Sequence, residues 1–185
     1  MSSGKSPYVC PVIFAATLDN FFRRMLHNQE IILKPYISRG MRVLDLGCGP
    51  GFFTSVLAKL AGEEGRVVAA DIQQGMLDRM LAAVRKNGFE GRVEAHLCGS
   101  DSVGVPGKFD FILAFWMVHE VPSRERLFEE LRTLINADGR ILIVEPKFHV
   151  TGRAFRTMLS QVESAGLKII DTPKVPLSRT LLLSV

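Results

Sequence analysis

In the run VLDLGCGPGFFT, residues 43–54, glycine stands at 47, 49 and 51, directly after an apolar stretch that holds one acid, Asp45. Glycines so spaced strip the chain of side chains and let a ligand approach the main-chain N–H groups. A second acid, Asp71, closes the apolar run RVVAAD, where an acid can grip the two ribose hydroxyls of an adenosine cofactor. The dinucleotide fingerprint G-x-G-x-x-G ends in glycine, and Phe52 holds that sixth position here. Asp45 would also repel a poorly screened pyrophosphate by several kcal/mol. It suits instead a ligand that carries an ammonium and a sulfonium. No phosphate-loop signature ending in Gly-Lys-Ser or Gly-Lys-Thr occurs, which excludes a P-loop.

A second group of reactive residues follows the run FDFILAF: His119 and Glu120, with His149 further on after VEP. Neutral imidazole suits proton removal near pH 7, so His119 is the candidate general base. Glu120 in solvent is too weak a base for that task. His149 is a candidate contact to the same ligand, while His27 and His96 read as structural. Phe115 and Trp116 either stack on an aromatic acceptor or fill core.

Such residues need a frame that brings strand ends together. From Met41 onward short apolar runs alternate with longer amphipathic ones: MRVLDLG, GRVVAAD, GRVEAHLC, FDFILAF and GRILIVEP read as strands. Helices are expected from Gly51 to about Ala61, from about Gln74 to Lys86, from Ser123 to about Ile135 and from Thr151 to Ala165. Near-continuous apolar strands alternating with helices predict a doubly wound α/β sheet with right-handed crossovers. The last two strands, LKIIDTP and RTLLLSV, are joined by only KVPLS, too short for a parallel crossover, so that pair must be antiparallel. Ahead of this sheet, residues 1–17 read as an irregular arm. Leu18 to Ile37 has helical spacing, with Asp19 or Asn20 at its start and Pro35 disturbing its end. The chain therefore divides into residues 1–40, an arm and helical lid, and residues 41–185, the ligand-binding domain.

Composition narrows the partners. The formal charge is +4, from 23 basic and 19 interspersed acidic residues, without the concentrated stripe that nucleic acid demands. The cysteines Cys10, Cys48 and Cys98 are odd in number, widely spaced and free of any CxxC, which argues against a disulfide framework or a zinc site. No apolar run reaches the ~18 residues of a membrane span. A cytoplasmic protein without a metal is expected.

VLDLGCGPG, the acid in VVAADI and FDFILAFWMVHEV together resemble the class I S-adenosylmethionine-dependent methyltransferases, over about Met41 to Val185. The resemblance implies a Rossmann-like sheet of seven strands in the order 3-2-1-4-5-7-6, with strand 7 antiparallel and helices on both faces. It further implies S-adenosylmethionine as cofactor, its methionyl part surrounded by Asp45, Gly47, Cys48 and Gly49. Asp71 would take the ribose hydroxyls and Ile72 would lie against the adenine. Ser100 and Asp101 would approach the adenine amino group, although CGSDS departs from the commoner GDA pattern. Ala114 and Phe115 would border the sulfonium and its methyl group.

The segment from Trp116 to Pro146 resembles the group that methylates small molecules, and no N-P-P-Y or D-P-P-Y sequence stands where AFWM lies. In this family an N-terminal helix often covers the cofactor, which makes Phe21, Phe22, Arg23, Arg24 and Asn28 candidate acceptor contacts. The expected function is in-line methyl transfer to a small-molecule acceptor. The alternatives are a protein or RNA methyltransferase, marked by a focused basic surface, and a cofactor-binding protein without turnover.

Overall fold

A computed structural model describes residues 28–185. Seven strands form one sheet: β1 (Arg42–Leu46), β2 (Arg66–Asp71), β3 (Val93–Leu97), β4 (Phe109–Phe115), β5 (Ile135–Pro146), β6 (Lys168–Asp171) and β7 (Ser178–Ser184). Their order is β3-β2-β1-β4-β5-β7-β6. β1 pairs in parallel with both β2 and β4, and β7 is antiparallel to β5 and β6. The order, the reversed strand and the class are those expected from the sequence.

Among the described residues five α-helices flank the sheet: α1 (Gln29–Leu33), α2 (Thr54–Ala61), α3 (Gln74–Lys86), α4 (Arg124–Leu134) and α5 (Gly152–Ser164). Side-chain alternation along the strands sorts them by face. Val43, Val67, Phe111, Leu113 and Leu142 point to one side, where Leu33, Leu57 and Ala61 of α1 and α2 cover them. Ala69, on that same side, meets Leu77, Met80 and Val84 of α3. Leu44, Ile112, Ile141 and Ile143 point to the other side and meet Phe128 and Leu131 of α4 and Met158 and Val162 of α5. Burial on both faces explains the near-continuous apolar runs of β1, β2, β4 and β5. The more polar β3 lies at the sheet's edge.

Two boundaries differ from expectation: the start of α2, and that of β5, which begins at Ile135 rather than Gly139. α2 begins at Thr54 rather than Gly51, because Gly49 and Gly51 lie at φ +53° and +88°, outside the helical region. Ser123 sits at the N-cap of α4 without a side-chain capping bond. At α1, Asn28 is the cap: its side chain accepts from the Ile31 N–H at 3.1 Å. That helix ends at Leu33, ahead of Pro35. Asp19, Asn20 and the rest of the expected N-terminal helix lie outside the described residues. Within 28–40, Leu33 and Ile37 are buried in the same core as β1 and α2, so this stretch is part of the main body.

Candidate functional site

Strand order reverses at β1 and β4, and the carboxyl ends of these strands border the crevice where open α/β sheets bind ligands. The glycine loop leaves β1 at that point. The N–H groups of Gly47 and Cys48 both donate to the Ala70 carbonyl, at 2.8 and 3.0 Å, which pins the loop to the end of β2. Gly47 has φ +67°, and a Cβ there would lie 2.8 Å from the Met117 side chain. Gly49 has φ +53° and open space within 4 Å of where its Cβ would be. The first glycine therefore serves packing, while the second leaves room for a ligand against the main chain.

Two buried acids face this loop. Asp45 is 3% exposed and accepts a 2.6 Å hydrogen bond from the Thr54 hydroxyl at the start of α2. Burial pushes its carboxyl up to about 7, with the Thr54 bond opposing and the charge of Asp71 adding to the rise. Asp71 accepts from the Gly49 and Gln73 N–H groups, each at 2.9 Å. Burial also raises its carboxyl, while these backbone bonds and one from Ile72 pull it down. Acids in close array, beside a loop with open backbone and without a lysine or arginine, favour a cationic ligand over a phosphate. This donor set fits the ammonium and ribose hydroxyls of S-adenosylmethionine.

The other expected cofactor residues take varied positions. Ile72 is about half exposed just beyond β2. The Cys48 side chain turns inward against Leu77 and Met80, so only its backbone borders the loop, and burial raises its thiol far above the usual range. Ser100 and Asp101 lie exposed on the loop after β3 and bond to one another at 3.3 Å. That loop is tied down by Glu130 of α4, which accepts from the N–H groups of Val103 and Gly104. Ala114 is fully buried on the α4 and α5 side of the sheet, while Phe115 points to the opposite side against Phe53, ring centroids 4.3 Å apart.

Beyond Phe115 the chain turns sharply. Trp116 adopts φ +59°, a left-handed conformation that is unusual for a bulky residue and marks a constrained turn. Its N–H donates to the Val144 carbonyl at 2.7 Å and its indole N–H to the Ser178 hydroxyl at 3.0 Å. This turn delivers His119 onto Glu145, a carboxylate at the end of β5 with no solvent exposure. Glu145 accepts from the backbone N–H groups of Val118 and His119, both at 3.1 Å, and meets His119 Nδ1 at 2.8 Å. Burial disfavours the imidazolium, but the bond to Glu145 and the charges of Glu145 and Glu120 outweigh it. The imidazole is held above its ordinary value. The His149 ring stacks on that of His119 at 5.4 Å. His96, by contrast, bonds the Val103 carbonyl and is structural.

Sequence reasoning singled out His119 and His149 but passed over Glu145. The signal was present, since each of VLDL, VAAD and IVEP sets a single acid within an apolar run. Phe21, Phe22, Arg23, Arg24, His27 and Cys10 lie outside the described residues. Among the described residues no cluster of metal-ligating side chains occurs.

The chain resembles known proteins. A family model described as a methyltransferase domain matches residues 37–171. The ubiquinone/menaquinone biosynthesis C-methyltransferase UbiE of Cronobacter sakazakii is 31% identical over 123 residues, covering 64% of this chain and 49% of that protein. The chain thus spans about half the length of the curated relatives it matches. A SAM-dependent methyltransferase from Aquifex aeolicus superposes with a TM-score of 0.85 at 26% identity, covering 96% of this chain and 100% of that one. Aeropyrum pernix fibrillarin, solved with natively bound S-adenosyl-L-methionine, shares the fold at a TM-score of 0.63 and 17% identity, over 80% of this chain and 67% of that one.

Proposed function

The chain belongs to the class I S-adenosylmethionine-dependent methyltransferases, and from that premise we propose that it transfers a methyl group to a small-molecule acceptor, with His119 as general base. The observation that carries the reading is the pair of buried acids, Asp45 and Asp71, on an open glycine loop at the switch point of the sheet. Asp45 with the backbone of Gly47, Cys48 and Gly49 would hold the methionyl part, Asp71 the ribose hydroxyls, and Ile72 the adenine. Ser100 and Asp101 would approach the adenine amino group, and Phe115 with the end of β4 would border the methyl group.

Bound there, the cofactor supplies a methyl carbon activated by positive sulfur, so the protein's share is mainly to orient the acceptor and exclude water. His119 adds proton removal where the acceptor is protonated near neutral pH. Residues 28–40 brace the ligand-binding domain, with α1 docked on α2 through the Glu30–Lys59 ion pair at 2.9 Å and Leu33 and Ile37 in its core. The small-molecule reading draws support from the UbiE relatives, which are C-methyltransferases of ubiquinone/menaquinone biosynthesis. No described helix is long and apolar enough to cross a membrane; action in the cytoplasm is the reading that the free thiols of Cys48 and Cys98 support.

Calorimetric titration tests the cofactor site. S-adenosylhomocysteine binds and NADH does not, and Asp71→Ala weakens the binding by ~10-fold or more, as loss of charge-assisted hydrogen bonds demands. A folded protein that ignores S-adenosylhomocysteine overturns the reading.

A further inference from the structure

Three arginines stand side by side at the rim of the sheet opposite the glycine loop. MRVLD, GRVVA and GRVEA each set an arginine directly before the apolar run of a strand. The parallel register aligns them. Arg42 of β1 lies opposite Arg66 of β2, and Val67 lies opposite Val93, which puts Arg66 beside Arg92 at the head of β3. Neighbouring strands run ~4.8 Å apart, so three like charges repel one another across this corner. A cavity of ≈ 370 Å³ opens there, lined by all three arginines together with Val67, Val93 and Glu94.

Main-chain carbonyls hold two of the guanidinium groups in place. Arg42 donates from Nη1 to the Lys108 carbonyl at 3.2 Å and from Nη2 to the Pro106 carbonyl at 3.0 Å. Its Cζ also lies 4.6 Å from the centre of the Phe109 ring. Arg66 donates from Nη1 alone, to the Glu63 and Gly65 carbonyls at 3.0 and 2.7 Å. Arg92 packs over the Phe89 ring at 5.5 Å. A carbonyl fixes a guanidinium without cancelling its charge, and each guanidinium carries five N–H donors. These clamps therefore preset the forks and leave donors over.

Carboxylates offset little of the charge. Among the described residues, the one ion pair on these arginines joins Arg92 to Glu63 at 3.7 Å, and the Glu63 side chain is 88% exposed. A pair so open to water contributes little. Asp110 spends its oxygens on the Arg42 backbone N–H and the Asn136 amide. Glu94 is the single acid in the cavity lining. Capping of carbonyls accounts for part of each fork and not for the surplus positive charge.

We infer that this corner is a second ligand site, and that it binds a small dissolved phosphate ester or diphosphate. Guanidinium forks match the oxygen pairs of phosphate and carboxylate alike. Charge decides between them, since a phosphoryl group brings about −1.5 to −2 near pH 7 and a carboxylate only −1. The volume falls within the range of small-molecule pockets. None of the lining residues is an exposed large apolar one, which favours a dissolved ligand over a lipid headgroup. At ~3.3 Å per residue, β1 and β2 set the cavity roughly 15–20 Å from the glycine loop. Its ligand is thus neither the cofactor nor the methyl acceptor.

Inorganic pyrophosphate is the probe, titrated calorimetrically into the full chain at constant ionic strength, with and without S-adenosylhomocysteine. One equivalent binds in both cases, ~10-fold or more tighter than acetate. Arg66→Gln combined with Arg92→Gln weakens binding by ~10-fold or more. Arg66→Lys keeps the charge, loses the fork and still weakens binding. Arg126→Gln, which removes the same charge from α4, leaves it unchanged. In amide NMR spectra of the wild type, pyrophosphate shifts residues near 66–68 and 91–94.

The test stands whether or not S-adenosylhomocysteine binds. Competition between the two ligands, or NMR shifts gathered on residues 47–51, puts the anion in the cofactor crevice and overturns the inference. A wild type that ignores pyrophosphate overturns it as well, and so does a double variant that binds like wild type. Wild-type affinity in Arg66→Lys reduces the corner to diffuse attraction and overturns the guanidinium site. Tighter binding of a single-stranded oligonucleotide, or of phosphatidic acid vesicles, overturns the small dissolved ligand.

Discussion

Asp45 carries a proton affinity that the unfolded chain does not share. Its folded carboxyl titrates at about 7, raised chiefly by burial, against about 4 when unfolded. Between those values the native state binds the extra proton. Stability from this group is therefore fully present below the unfolded value, declines as pH rises, and is lost above about 7, a cost of a few kcal/mol. A ligand ammonium beside Asp45 offsets that cost. Affinity for S-adenosylhomocysteine should accordingly climb as pH rises through 7, with proton release on binding, and Asp45→Asn should flatten the climb. Calorimetry in buffers of differing ionisation enthalpy measures both, and an affinity level from pH 6 to pH 8 would contradict the placement. Thr54 serves the charged form through its 2.6 Å bond. Thr54→Val should thus cost ~2–3 kcal/mol at pH 8 and only ~1 kcal/mol at pH 6, read from denaturant unfolding.

At the level of elements, the loop between β3 and β4 is held by Glu130 of α4 and, nearer β4, by Arg42, which donates to the Pro106 and Lys108 carbonyls. Glu130 accepts the N–H groups of Val103 and Gly104, and His96 holds the Val103 carbonyl at 2.9 Å. Glu130→Ala should lower stability by ~1 kcal/mol, with faster hydrogen exchange confined to residues near 99–107. Exchange spread over the sheet would show that the loop is not a separate unit. Elements were the part most legible in the sequence. The periodicity of about Gln74 to Lys86 places α3, and the short KVPLS connection forces the β6–β7 reversal. What stayed hidden was contact across elements. Glu145 meets His119 only because Trp116 takes a left-handed turn, and no local pattern announces that conformation for tryptophan. Likewise Cys48 reads as a loop residue, yet its side chain joins α3 because the turn directs it inward.

Over the whole molecule, β7 sits between β5 and β6 although it follows both in sequence. Leu181 and Leu183 are fully buried in that position. Amides of residues 181–183 should exchange as slowly as those of β4, through global opening alone, and early exchange there by mass spectrometry would disprove a single cooperative sheet. The same insertion bears on synthesis. A ribosome issues β5 and β6 before the strand that must part them, so the growing polypeptide carries a raw edge along Ile141–Val144 until residues 178–184 emerge. β6 then has nothing to join, since β7 is its neighbour in the sheet. Such an edge is a template for pairing with another nascent chain. Cells that make this protein must either finish it quickly or shelter it with a chaperone.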